Sequence, residues 1–183
     1  MPPRIHDRAL LDALEAMAPE VFAGEVWRVT RKGRDALCGS TAPGRWSPGG
    51  DAEVLYTSLK REGALAEIGY RLSLEPVWPS RLEHEVHRIR ARPHRSLRFA
   101  DVESLVRLEV DAAHWTSFDY SATQAIAAAA HFLEFDGLIV PSARAVCANL
   151  VVFLERVTDE CELEVTGSTP VDWPAWRRAR GTR

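Results

Sequence analysis

With 183 residues, 46% of them hydrophobic and 27% charged, the chain is sized for one domain with a real core, and a second full domain is not expected. A formal net charge of −3 gives no global pull toward nucleic acid or an anionic membrane, so an anion site has to be local and a small anionic ligand is favoured. Cys38, Cys147 and Cys161 form no CxxC pair, no run approaches the roughly 20 apolar residues of a membrane span, and the N-terminus lacks a signal-peptide core, so a cytoplasmic protein is expected.

In chain order, Leu10, Leu11 and Leu14 predict a short amphipathic helix over 7–17 that stops before Pro19. "EVWRVT" (25–30) and "EVLYTS" (53–58) are rich in β-branched and aromatic residues and predict two strands, joined by a segment dominated by Gly, Pro and Ser. Residues 59–74 carry helical periodicity despite Gly63 and Gly69. "HEVHRIRAR" (84–92) reads as a strand fit for a sheet edge, and 101–110 as a helix capped by Asp101. Ser121 and Gln124 have the spacing of a capping box ahead of an alanine-rich helix that stops near Gly137. "GLIVPS" and "NLVVFLE" follow as buried strands, with "ELEV" (162–165) a weaker third. This order predicts an α+β fold.

Chemistry is sought in the polar residues on these strands and in the loop "GRWSPGG" (44–50). Taken singly, Arg28, Arg45, Tyr56, Glu67 and Ser142 each have an ordinary reading as paired, core or solvated side chains. Taken together they compose a site. Two converging arginines, Arg28 and Arg45, form a fork for a pyrophosphate, and glycine amides beside Arg45 are free to approach the same oxygens. Tyr56 offers a face for a nicotinamide or adenine ring, and Glu67 a carboxylate for ribose hydroxyls and for the charge that develops as a glycosidic C–N bond breaks. Trp46 reads as the loop's anchor. Ser142 sits at a strand end without the G-x-S-x-G context of a hydrolase nucleophile. The histidines (His6, His84, His87, His94, His114, His131) lack metal-ligand spacing, and His84 and His87 fall on opposite faces of one strand, so no metal is expected.

Read in order, "VWRVT", "GRWSPGG", "VLYTSLKREGALAEI", "FDGLIVPSAR" and "NLVVF" resemble the RES domain family over residues 27–153. The resemblance makes Arg28, Glu67 and Ser142 the naming residues, with Arg45 and Tyr56 as further pocket members. It implies a core similar to ADP-ribosyltransferases: a split β-sheet with flanking helices and a cleft for NAD. It divides the chain into a helical lead-in (1–24), a RES domain (25–166) and a basic, Trp-containing tail (167–183). It further implies a toxin of a bacterial toxin–antitoxin pair that depletes NAD by hydrolysis or phosphorolysis, with NAD as substrate. Catalysis would fall to Glu67, Arg28 and Tyr56, and NAD binding to Arg28, Arg45, Tyr56 and Ser142. The partner implied is a small helix-turn-helix antitoxin of the Xre type covering the pocket. Ser47 departs from the family's usual asparagine, a swap that turn chemistry tolerates.

Two other readings stay open. A mono-ADP-ribosyltransferase would modify a specific intracellular protein; Leu65 stands where arginine-directed relatives often carry a second glutamate, which disfavours arginine as acceptor. A non-catalytic module would use its pocket only for a partner, with the tail as a contact.

Overall fold

The computed structural model describes residues 6–47, 49, 52–158 and 161–181. Pro48 and Gly50 of the loop and Arg183 of the tail lie outside the described residues. Helix α1 (Arg8–Glu15) is capped by Asp7, whose carboxylate accepts from the Leu10 amide, and it buries Leu14. Strands β1 (Gly24–Arg31) and β2 (Val54–Ser58) precede α2 (Arg61–Ser73), then β3 (His84–Arg92), β4 (Ser96–Arg98), α3 (Val102–Val106) and α4 (Ser121–Phe132). The chain closes with β5 (Gly137–Pro141), β6 (Ala148–Phe153), β7 (Glu162–Pro170) and α5 (Trp173–Ala179).

The strands form one sheet in the order β4-β5-β6-β2-β1-β3-β7. The expected split lies between β2 and β1, where Trp27 opposite Ser58 is the one register pair, against eight between β1 and β3. Side chains alternate across each strand, so the sheet has two distinct faces. On one, Val54, Val151 and Phe153 pack with Ile126 and Ala127 of α4, and Val29 and Val86 pack with Ala64 and Leu65 of α2. On the other, Val26, Leu55, Ile89 and Leu150 form a separate cluster with Leu37 and Leu154 from flanking loops.

Three expectations change. Strand β3 is interior, because β7 runs nine residues along its far side and takes the edge. The helix expected over 101–110 ends at Val106, and Glu109 adopts φ 67, a backbone that an α-helix cannot hold. The capping box does not form: Tyr120 is the cap position, the Ser121 hydroxyl donates to Asp119, and Gln124 reaches instead to the Gly44 carbonyl at 2.9 Å. Strand β7 runs through residue 166, and the tail packs through its tryptophans. Trp173 is 5% exposed within the α2 cluster, and truncating a tryptophan so placed costs about 3–5 kcal/mol.

Candidate active site

The glycines of α2 explain how a carboxylate comes to lie against the sheet. A Cβ at Gly63 would sit 2.2 Å from Ser58 Oγ and 2.5 Å from Cys147 Sγ, so only glycine lets the first turn of α2 close on β2 and on the loop after β5. Helix propensity is given up for that approach. One turn on, Glu67 meets the loop: the Ser142 hydroxyl donates to Glu67 Oε1 at 2.6 Å, and Asn149 Nδ2 donates to the same oxygen at 3.2 Å. Among the described residues Oε2 has no hydrogen bond, so one carboxylate oxygen is fixed and the other is available.

Ser142 is itself held, since its oxygen accepts from the amides of Arg144 (3.1 Å) and Ala145 (3.2 Å). With its proton donated to Glu67 and its lone pairs on the turn, its hydrogen-bonding capacity is taken up within the protein. That turn also delivers Arg144, whose guanidinium lies 3.6 Å from the Tyr70 ring centroid and donates to the Thr116 carbonyl at 2.9 Å.

Arg45 enters from the other side. Its guanidinium lies 4.6 Å from the centroids of both Trp115 and Tyr120 and donates to the Ser117 carbonyl at 3.1 Å. Burial lowers its affinity for the proton, the positive charge of Arg144 acts in the same direction, and Glu67 and Tyr56 oppose it, which places these groups in one electrostatic neighbourhood. A guanidinium keeps its charge at neutral pH regardless. Tyr56 is half-buried; burial pushes its phenol well above the ordinary range, and its oxygen accepts from the Trp46 amide at 3.1 Å.

The loop is braced. Gly44 and Ser47 exchange main-chain hydrogen bonds (2.8 and 3.2 Å), which puts Arg45 and Trp46 at the tip of a tight turn. Trp46 is 2% exposed and packs against Trp115 as an anchor, and the Ser47 hydroxyl accepts from the Gly49 amide. The amides of Gly44, Trp46, Ser47 and Gly49 therefore all donate within the protein. Among the described residues, the loop's glycine amides are thus already engaged, against the expectation that they approach a phosphate.

Arg28 does not join the group. It alternates with Trp27 and Val29, which face α2, so its side chain projects from the opposite face of the sheet. There Nη1 donates to the Ala36 carbonyl at 2.8 Å, and its charged or titrating neighbours are Cys38, Arg34, Asp35 and Glu53 rather than Glu67. The convergence of Arg28 with Arg45 read from the sequence overlooked this parity. Arg144 and Asn149 are the residues that reading missed. Both stood in the quoted stretches "FDGLIVPSAR" and "NLVVF", but only the hydrogen bonds to the Glu67–Ser142 pair single them out. Among the described residues no group of His, Cys, Asp and Glu is placed to hold a metal ion, and no helix is long and apolar enough to cross a membrane.

Comparison with known proteins fits this geometry. A model of the RES domain matches residues 25–174. A curated protein of Mycobacterium tuberculosis (strain ATCC 25618 / H37Rv), described as a probable NAD(+) phosphorylase, is 35% identical over 116 residues, covering 63% of this chain. That match spans about half, 55%, of the relative's length. Among solved structures, the crystal structure of the M. tuberculosis MbcT–MbcA toxin–antitoxin complex superposes with a TM-score of 0.79 at 21% identity, over 96% of this chain and 99% of that one, and so shows the fold.

Proposed function

Since the chain belongs to the RES domain family, we propose that it is the toxin of a bacterial toxin–antitoxin pair and cleaves NAD at the nicotinamide–ribose bond, by phosphorolysis or hydrolysis. The observation that carries this reading is Glu67: one oxygen is pinned by Ser142 and Asn149, and the other is open within the electrostatic reach of Arg45. The C1′–N bond breaks with its electron pair passing to the pyridinium nitrogen, so nicotinamide leaves neutral. Glu67 stabilises the cationic ribose, and an oxygen of phosphate or water forms the new bond at C1′. Arg45 and Arg144 take the pyrophosphate, Tyr56 lies against the nicotinamide, and no metal is required.

The named activity of the mycobacterial relative supports NAD as substrate. The complex in which the structural relative was solved supports an antitoxin partner, for which a small helix-turn-helix protein of the Xre type is the candidate. Transfer of ADP-ribose to an arginine side chain is less favoured, because Leu65 of α2, at the place of the assisting glutamate, is 3% exposed and packed in the core.

The test is incubation of the purified protein with NAD, with and without phosphate and with and without cell lysate, following nicotinamide and the fate of ADP-ribose by mass spectrometry. ADP-ribose or its phosphorylated form without lysate is the expected result. Nicotinamide release only with lysate, accompanied by a protein gaining the mass of ADP-ribose, would make the chain a transferase. No cleavage under any condition would overturn both.

A further inference from the structure

A groove of about 390 Å³ opens between α2 and α5, walled by Tyr70, Trp78, Arg144, Trp176, Arg177 and Arg180. It exists because α2 has a second glycine: a Cβ at Gly69 would lie 2.3 Å from the Trp176 ring, so only glycine seats α5 this closely. Trp176, Arg177 and Arg180 lie beyond the residues that the RES domain matches, so this wall is supplied by the chain's own C-terminal helix.

Each guanidinium in the groove is laid on an aromatic ring. Arg144 lies 3.6 Å from the Tyr70 centroid, Arg177 4.7 Å from that of Trp78, and Arg180 4.9 Å from that of Trp176. A guanidinium held over a ring keeps N–H groups for other partners, the groups that grip phosphate in pairs; Arg144 gives one of its own to the Thr116 carbonyl at 2.9 Å. Among the described residues none of the three is ion-paired with a carboxylate, and Glu75 is the one acid lining the groove. Arg177 Nε is also buried without a hydrogen-bond partner. A buried donor left without an acceptor is costly, and an anion in the groove offsets that cost through the charge of the guanidinium, since Nε itself is closed off from the groove.

We propose that this groove is a binding site for a phosphate group, continuous with the Glu67 site through Arg144. Arg144 belongs to both places: its side chain walls the groove, and its main-chain amide fixes the serine that holds Glu67. A phosphate bound here stands one arginine away from the carboxylate and is the source of the acceptor for phosphorolysis. That use rests on the function proposed above; the binding does not.

The experiment reads binding alone, with no NAD present. The protein is titrated with inorganic phosphate, and separately with ADP, at constant ionic strength, and binding is followed by calorimetry and by the emission of the tryptophans under Arg177 and Arg180. Saturable binding is expected. The double variant Arg177→Gln/Arg180→Gln should raise the apparent Kd at least tenfold, while Arg178→Gln, in the neighbouring groove, leaves it unchanged. Binding of inorganic phosphate identifies the free ion as occupant, and binding of ADP alone assigns the phosphate to a nucleotide. Wild-type protein that saturates with neither probe overturns the proposal whatever the variants do, as does saturable binding that the double variant leaves unaltered.

Discussion

Arg28 and Arg45 are both half-buried guanidiniums, both shifted by desolvation, and both donate to a main-chain carbonyl. Their positions differ in what surrounds them. Arg28 projects from one face of the sheet and ties the loop between β1 and β2 down through Ala36. Arg45 is carried by that same loop to the other face, where two aromatic rings hold it in reach of Glu67. An arginine wrapped by its own loop braces that loop; the one framed by aromatics is where we place the ligand's phosphates.

Substitutions can break or sharpen that contrast, and the largest effect is expected at the carboxylate. Glu67→Gln keeps the shape and loses the charge, so kcat for nicotinamide release should fall about 10²–10³-fold while KM for NAD changes little. Equal turnover would remove Glu67 from the chemistry. Arg45→Ala should raise KM for NAD about 10- to 100-fold, the equivalent of a lost charge-assisted bond of about 1.5–3 kcal/mol. Arg28→Ala should instead lower thermal stability by about 1–3 kcal/mol with KM nearly unchanged, because it strands the Ala36 carbonyl. A matching KM effect in both arginine variants would erase the distinction between them. Ser142→Ala frees Glu67 to rotate and should lower kcat about tenfold with KM held, a split that a purely structural serine would not produce.

The smallest effect concerns the β1-β3-β7 half, which holds none of the proposed reacting groups. Burial lowers the affinity of His84 and His87 for a proton, and the Trp173 indole donates to His84 Nδ1 at 3.1 Å, which requires the neutral ring. The unfolded chain takes those protons near the ordinary imidazole value of about 6.5. Their contribution to stability is therefore present above that pH and is lost as the pH falls below it. The melting temperature should drop between pH 7.5 and 5.5, and less steeply in His84→Gln. An unchanged slope would mean that these imidazoles titrate alike in both states.

Most elements were legible because their signals are local. Asp101 caps the helix it announces, and the apolar runs at 137–141 and 148–153 are strands. The misreadings came where a distant contact outweighed local chemistry. Gln124 has capping-box spacing but spends its amide on Gly44, and nothing in the tail's own residues shows the pocket under α2 that receives Trp173. In the site, Glu67, Ser142 and Arg45 could be singled out by residue type, whereas Arg144 and Asn149 could not, since an arginine after a turn and an asparagine in a strand are unremarkable until a partner is known.

The sequence by itself determined the α+β order, the family, the loop that carries Arg45 and the residue types that make a carboxylate-and-arginine site, because periodicity, turn composition and motif order are properties of neighbouring residues. Tertiary structure alone decided which arginine stands with Glu67. That choice turns on strand parity and on two glycines that let α2 close on β2 and on α5: a side chain's face follows from pairing across the sheet, and how near two elements approach follows from the atoms that are missing between them.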